Sequence, residues 1–314
     1  MLRSLRRSLI SLAVLSALVA RGAAAQTPPA AAPQPAAPQA AQPQAQRTFV
    51  KVVMKSGQEY EGWVVSQTAD TLVLDLSGGG QMTMPMSSVA SITERKDVTV
   101  RAGGEVWPED RNRTRYLMAP SAFMLRAGEG YFSQKELLFS EVGYGVTDWL
   151  TLSIGGAIPL WFVSDGFNLI GGLKVGVGLG EILHVSAGGS IWWIPGADPA
   201  VTFGLVTGTV TIGTPNLHLS LAASFPYTLQ SGAEDVGDMI LIVAGNWRLS
   251  RTLALVTENW IFMNSTAWDV TTPMINSLVL RIFGDRIAVD LGLLVVPETS
   301  FPPPWLAFTY NFGG

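Results

Sequence analysis

LIGGLKVGVGLGEILHVSAGGSIWW, residues 169–193, decides how the chain is read. Leu169, Leu173, Val175, Val177 and Leu179 fall on one parity, and Gly172, Lys174, Gly176 and Gly178 on the other. After Gly180-Glu181-Ile182 the alternation restarts, with Leu183, Val185, Ala187 and Ile191 against His184, Ser186, Gly188 and Ser190. Side chains of a strand alternate across the sheet, so the stretch predicts a hairpin with one aliphatic and one small, polar face. The polar face is too rich in glycine to fill a packed core, and the aliphatic face is too continuous to be left in water. An apolar outside around a polar inside describes a transmembrane β-barrel.

Composition agrees. The 314 residues are 48% hydrophobic and only 14% charged, with 33 glycines, a balance that suits a membrane barrel better than a soluble enzyme. A net charge of -4 gives no reason to expect nucleic acid as a partner. With no cysteine, disulfides and thiolate chemistry are excluded. Arg3, Arg6 and Arg7 precede the apolar Leu9–Ala20, and Ala23-Ala24-Ala25 follows, so residues 1–25 are expected to be a signal peptide. The apolar run is shorter than the roughly 20 residues that a spanning helix needs. Residues 26–46 are almost entirely Ala, Pro and Gln and are expected to be a disordered linker.

From 47 to 96 the character changes. Phe49, Lys51 and Val53 alternate, Ser56-Gly57 turns, and Tyr60–Val65, Asp70–Leu76, Gln81–Met86 and Val89–Thr93 follow in quick succession. Five short strands with tight turns predict a small β-barrel, with Trp63, Val65, Leu72, Leu74 and Ile92 inside. The order of these strands, with Gly57, Gly62, the Leu72–Leu76 strand and Ile92, resembles the Sm-like or SH3-like barrels. Sm-like proteins often bind RNA, but no basic cluster with interleaved aromatics supports that here. A periplasmic module that binds a periplasmic protein or a cell-wall partner is the expectation. Residues 97–113, with Gly103-Gly104, Pro108 and the charged Glu109–Arg113, read as a solvated connector.

Residues 114–314 read as a run of twelve strands, at about 115–125, 131–146, 149–159, 168–179, 183–194, 200–213, 217–228, 236–249, 252–264, 273–283, 287–297 and 304–312. The even number matches single-chain bacterial barrels. Alternate joints are minimal (Thr147-Asp148, Gly180-Glu181, Thr214–Asn216, Ser250-Arg251, Gly284-Asp285). Others are longer (161–167, 230–235, 264–272, 298–303). Short turns are periplasmic in such barrels and long loops extracellular, which puts both barrel ends and the N-terminal module in the periplasm. Trp305–Phe312 resembles the last strand of outer-membrane proteins, with Leu306, Phe308, Tyr310 and Phe312 on one face, although Gly313-Gly314 follow the aromatic. Trp149, Trp192, Trp193, Trp247, Trp305 and Phe225 suit interfacial girdles.

Polar parity places Lys174, Arg248, Arg281 and Asp290 in the lumen, with Glu141 and Glu258 also candidates, because facing lipid would cost each a few kcal/mol near the midplane. Inward Glu258 turns Thr257 and Asn259 outward, so a bulge is expected there. These charges either pair to hold a narrow barrel or form a selectivity constriction. His184 and His218 follow short turns and are expected at the periplasmic mouth. An outer-membrane phospholipase would need catalytic groups that reach lipid, whereas His184-Val185-Ser186 and His218-Leu219-Ser220 put their His and Ser inward. No metal set, cofactor loop or catalytic constellation is indicated. The expectation is a non-enzymatic outer-membrane pore or passive channel, with membrane lipid as partner. A structural or adhesion-like envelope protein is the alternative, and a lipid-modifying enzyme comes third.

Overall fold

The computed structural model describes residues 48–77, 79–95, 98–100, 105–158, 167–194, 201–230, 233–263, 274–297, 299 and 301–313. The expected signal peptide (1–25), the linker (26–46) and the long loops 161–166 and 264–272 lie outside the described residues.

Five strands, β1 (Phe49–Met54), β2 (Glu59–Gln67), β3 (Thr71–Leu76), β4 (Gln81–Pro85) and β5 (Val89–Glu94), make an antiparallel sheet in the order β4-β3-β2-β1-β5. One turn of 3-10 helix, Met86–Ser88, joins its two edges. Val50, Val52, Leu72, Leu74 and Met84 are its buried core, with Tyr60, Val64 and Ile92 packed against them. Val65, expected inside, is 40% exposed. The ladder with β3 slips between Val64 and Ser66, a bulge that leaves Val64 on the core side. Trp63 lies on the other face and meets Phe49 edge-on, with ring centroids 5.0 Å apart. A two-stranded ribbon follows, β6 (Val98–Val100) with β7 (Val106–Pro108).

The second sheet is the large one. Its strands are β8 (Gly130–Lys135), β9 (Phe139–Thr147), β10 (Leu150–Gly156), β11 (Leu169–Gly178), β12 (Leu183–Ile194), β13 (Val201–Thr214), β14 (Leu217–Gln230), β15 (Ala233–Val236), β16 (Ile240–Arg248), β17 (Leu253–Phe262), β18 (Met274–Phe283), β19 (Ile287–Val295) and β20 (Pro304–Phe312). Neighbours pair antiparallel, β20 returns to β8, and β13 pairs with β14, so the ring closes. β15 folds back on the end of β14 and lies outside the ring, which leaves a closed barrel of twelve strands. Within the 230–235 stretch, expected as a loop, Gln230 and Ala233–Asp235 are therefore strand.

The expected number of strands is right through two compensating differences. Residues 115–125 form no strand; apart from a single bridge between Arg115 and Pro120 they run irregularly inside the barrel. Residues 131–146, read as one strand, are two. Glu136 and Leu137 adopt φ of 50° and 57° and turn the chain, a left-handed conformation that non-glycine side chains seldom take. No Gly, Pro or Asn marks that turn, so the alternation was read straight through it.

Burial in the barrel is inverted relative to a water-soluble protein. Leu173, Val177, Val206, Ile212, Leu219, Leu221, Leu278, Leu291 and Leu293 are exposed on the outside. Thr207, Thr209, Thr211, Ser220, Ser224 and Asn246 are buried within. Trp149, Trp193, Trp247 and Phe225 are exposed on the exterior, where amphipathic rings suit the lipid headgroup level. Trp305 is a correction. It is 5% exposed and packs inside with Tyr116 and Leu117, because Leu306, Phe308 and Tyr310 hold the outward parity of β20.

Because the small sheet has its own core, a fragment of residues 47–96 should fold alone. Dispersed amide signals and a cooperative thermal transition are the expected result; a random-coil spectrum contradicts it.

Candidate functional site

Residues 109–129 precede the first barrel strand, and those up to Leu125 fill the lumen. The expected solvated connector is at odds with this: Asp110, Asn112 and Arg113 are buried, as are Tyr116, Leu117, Ala119, Ala122, Phe123 and Leu125. The chain turns at Tyr116–Ala119, where the Tyr116 N–H donates to the Ala119 carbonyl and the Ser121 N–H to that of Thr114. This leaves the amides of Leu117, Met118 and Ala119 on one side of a tight turn, with no strand partner.

Glu258 takes all three. Its Oε2 accepts the N–H groups of Leu117, Met118 and Ala119 at 2.9, 3.1 and 2.9 Å, and its Oε1 accepts the Trp260 indole N–H at 2.8 Å. The bulge expected at Glu258 is absent. The ladder of β17 with β16 runs unbroken from Ile240↔Phe262 to Arg248↔Ala254, and the register with β18 is the same on either side of 257–259. The polar residues that this turns outward satisfy themselves: Thr257 Oγ1 donates to the Ser277 carbonyl at 2.7 Å, and Asn259 Nδ2 to that of Val243 at 3.0 Å.

Of the other inward charges, Lys174 and Arg281 also hold the segment, while Arg248 and Glu141 bond around it. Lys174 Nζ donates to the carbonyls of Thr114, Ser121 and Phe123 at 3.2, 3.1 and 2.7 Å. Arg281 makes a two-pronged pair with Asp290 (2.7 and 2.8 Å) and reaches the Tyr116 carbonyl at 2.9 Å. Arg248 donates to the Pro108 carbonyl and to Asn216 Oδ1. Glu141 accepts from Lys135 Nζ at 2.8 Å and from the Tyr131 hydroxyl at 3.0 Å. The two histidines sit near the short connections and grip one aromatic: the Phe123 ring centroid lies 4.2 Å from that of His184 and 5.1 Å from that of His218. His218 Nδ1 lies 3.1 Å from the Thr214 carbonyl.

Small residues make the room. A Cβ on Gly176 would stand 2.8 Å from the Val185 carbonyl oxygen of the neighbouring strand, and the space it leaves is taken by Met124 of the segment, whose Sδ would be 2.9 Å away. Hydroxyls fill the remaining bonds: Thr211 Oγ1 accepts the Ala122 N–H at 2.7 Å, and the Tyr116 and Ser220 hydroxyls are 2.6 Å apart. Where the segment runs into β8, Arg113 bonds Glu129 at 2.6 Å. Burial raises the Glu129 carboxyl, but Arg113, the Arg126 amide and the Arg126 guanidinium outweigh it and hold the group below the usual carboxylate range.

On the side of the segment away from the short connections a cavity of about 170 Å³ remains. Its floor is Thr114, Arg115 and Met118–Pro120, and its wall carries Ser and Thr hydroxyls of β10 to β14 with Tyr131, Lys135, Glu141 and Lys174. Sequence reasoning missed Arg113, Arg115, Tyr131, Lys135 and Glu129. Arg113 and Arg115 lay in or beside a charged run read as solvated, and Lys135 stood next to the unmarked turn.

No family model matches the chain, and no curated protein matches it. Among solved structures it is similar to the NanC porin, with a TM-score of 0.38 and 9% identity over 59% of this chain and 98% of that one. It is also similar to OmpF of Salmonella typhi in complex with daunomycin (TM-score 0.33, 8% identity, 85% of this chain and 95% of that one). Pseudomonas aeruginosa OccK11 (OpdR) matches with a TM-score of 0.33 and 8% identity, over 85% of this chain and 94% of that one.

Two outcomes follow for the lumen segment. Glu258→Ala leaves buried amides without an acceptor, at about 1–3 kcal/mol for each group stranded. The variant should melt earlier and be cut by trypsin at Arg113 or Arg115, where the parent resists; equal resistance contradicts the clamp. Glu129, with its lowered pKa in the fold, stabilises above its unfolded value of about 4.3 and loses that contribution as pH falls through the lowered value. The melting difference between the parent and Glu129→Gln should therefore shrink from pH 5 to pH 3; a constant difference contradicts it.

Proposed function

We propose that the protein is an outer-membrane barrel that passes small solutes, with residues 109–129 closing its resting pathway. The observation that carries the reading is a cavity with hydroxyls and charged side chains in its lining, inside a closed ring of strands whose outer surface is aliphatic. Among the described residues no helix is long and apolar enough to cross a membrane, so crossing falls to the strands. In this reading Lys174, Arg248, Arg281, Asp290, Glu141 and Glu258 line the path, Lys174, Arg281 and Glu258 also hold the segment across it, and the chemistry is non-enzymatic. The short connections face the periplasm, with His184 and His218 at that mouth and the small sheet available to a periplasmic protein or cell-wall partner. Such a segment favours a channel that conducts rarely until something displaces it.

The filled lumen also supports a second reading, a structural barrel that anchors the small sheet. Planar-bilayer recording separates the two. The parent should show rare, small steps, and Glu258→Ala should show frequent ones. Large, steady conductance of the parent would overturn the closing role of 109–129, and silence of both proteins would favour the anchor. For orientation, Cys at Phe301 should react with an impermeant thiol reagent on intact cells and Cys at Asp285 should not; the reverse pattern would invert the topology.

A further inference from the structure

Arg115 and Lys174 both line the cavity, and among the described residues neither has an acidic partner within ion-pair distance. Arg115 is 7% exposed. One of its nitrogens, Nη2, donates to Asn112 Oδ1 at 3.1 Å, and its guanidinium carbon stands 3.7 Å from the centre of the Tyr131 ring. Its Nη1 is buried without a hydrogen-bond partner, and so are the hydroxyls of Thr114 and Thr151 in the same lining. Lys174 spends its bonds on three carbonyls, none of them charged. Glu141, the one acid of the lining, is matched by Lys135 at 2.8 Å. Buried charge without a counter-charge is costly, and a buried guanidinium nitrogen without an acceptor adds to the cost. An oxyanion held in the cavity would supply the counter-charge that Arg115 and Lys174 lack, and an acceptor of the kind that Arg115 Nη1 is without.

We propose that the cavity is a binding site for a small organic oxyanion, a carboxylate or a phosphate ester. Carboxylates and phosphates both present paired oxygens that suit the guanidinium fork. A cavity of about 170 Å³ has room for on the order of ten waters, hence for a solute of about ten non-hydrogen atoms. Its other surfaces, Ser153, Ser190, Thr207 and Ser224 beside Trp260, offer hydroxyls and one flat ring to the rest of such a molecule. This proposal rests on the barrel being a solute pathway, and names the class of solute.

The test is calorimetric titration of the full-length protein in detergent with gluconate, with glycerol 3-phosphate and with neutral glycerol. Saturable heat is expected with one or both anions and not with glycerol. Gluconate alone assigns the carboxylate, glycerol 3-phosphate alone the phosphate, and response to both the shared charge. Arg115→Gln should weaken binding about tenfold or more, the loss expected for a charge-assisted bond. If that variant no longer migrates as a folded, heat-modifiable barrel, Thr151→Val, in the wall, should still weaken binding several-fold. No saturable anion binding by the parent, equal binding of glycerol, or unchanged affinity in the folded variants would overturn the site. Binding without bilayer conductance would overturn only the pathway reading, and conductance without binding only this proposal.

Discussion

A single carboxylate sets the interior. Glu258 stands on β17 with three consecutive amides of the lumen segment on its oxygens, and those amides belong to a turn that no strand could serve. In a barrel surrounded by lipid, each backbone polar group away from water must find a partner within the protein. The turn at Tyr116–Ala119 can therefore lie inside only because an acceptor of matching size waits there. The acid is tolerated inside for the same reason, since four donors replace its water. Segment and wall each satisfy what the other lacks, which ties the position of Tyr116, and through it the contacts to Ser220 and Arg281, to one side chain.

The barrel was legible where period-two patterning is strong. On β11, β12, β19 and β20 the outward parity is mostly aliphatic or aromatic and the inward parity mostly small or polar, and a slip of one residue would turn every side chain to the wrong face. Legibility failed where local chemistry carries no mark. The Glu136–Leu138 turn uses positive φ at residues whose identity does not announce it. Leu117, Phe123 and Leu125 share one parity and have the look of a strand's apolar face, and sequence does not distinguish a face turned to lipid from one turned to the lumen. Trp305 failed likewise: an aromatic near a strand end is read as a girdle, and only its parity against Leu306 places it inside.

The lumen charges were legible as inward and as candidates for pairing, as Arg281 with Asp290 shows, but not as partners of a segment lying between them. Parity put Lys174 and Arg281 inside, yet their bonds run to carbonyls of a stretch that had been assigned elsewhere. The same error hid Arg115, whose stacking on Tyr131 joins two residues only 16 positions apart but on different structures, one in the lumen and one in the wall. A pattern read strand by strand cannot find a site assembled between a wall and its contents.

The place of the lumen segment in the chain has a consequence for assembly. The segment runs directly into β8, and β8 is the strand on which β20 closes the ring, from Ala307↔Lys135 to Phe312↔Gly130. That seam is zipped last if strands join in chain order. What lies inside is thus carried in on the same stretch of backbone as one lip of the seam, and no threading through a finished ring is needed. The wall can wrap around a mandrel already attached to it, so that contents and container mature together.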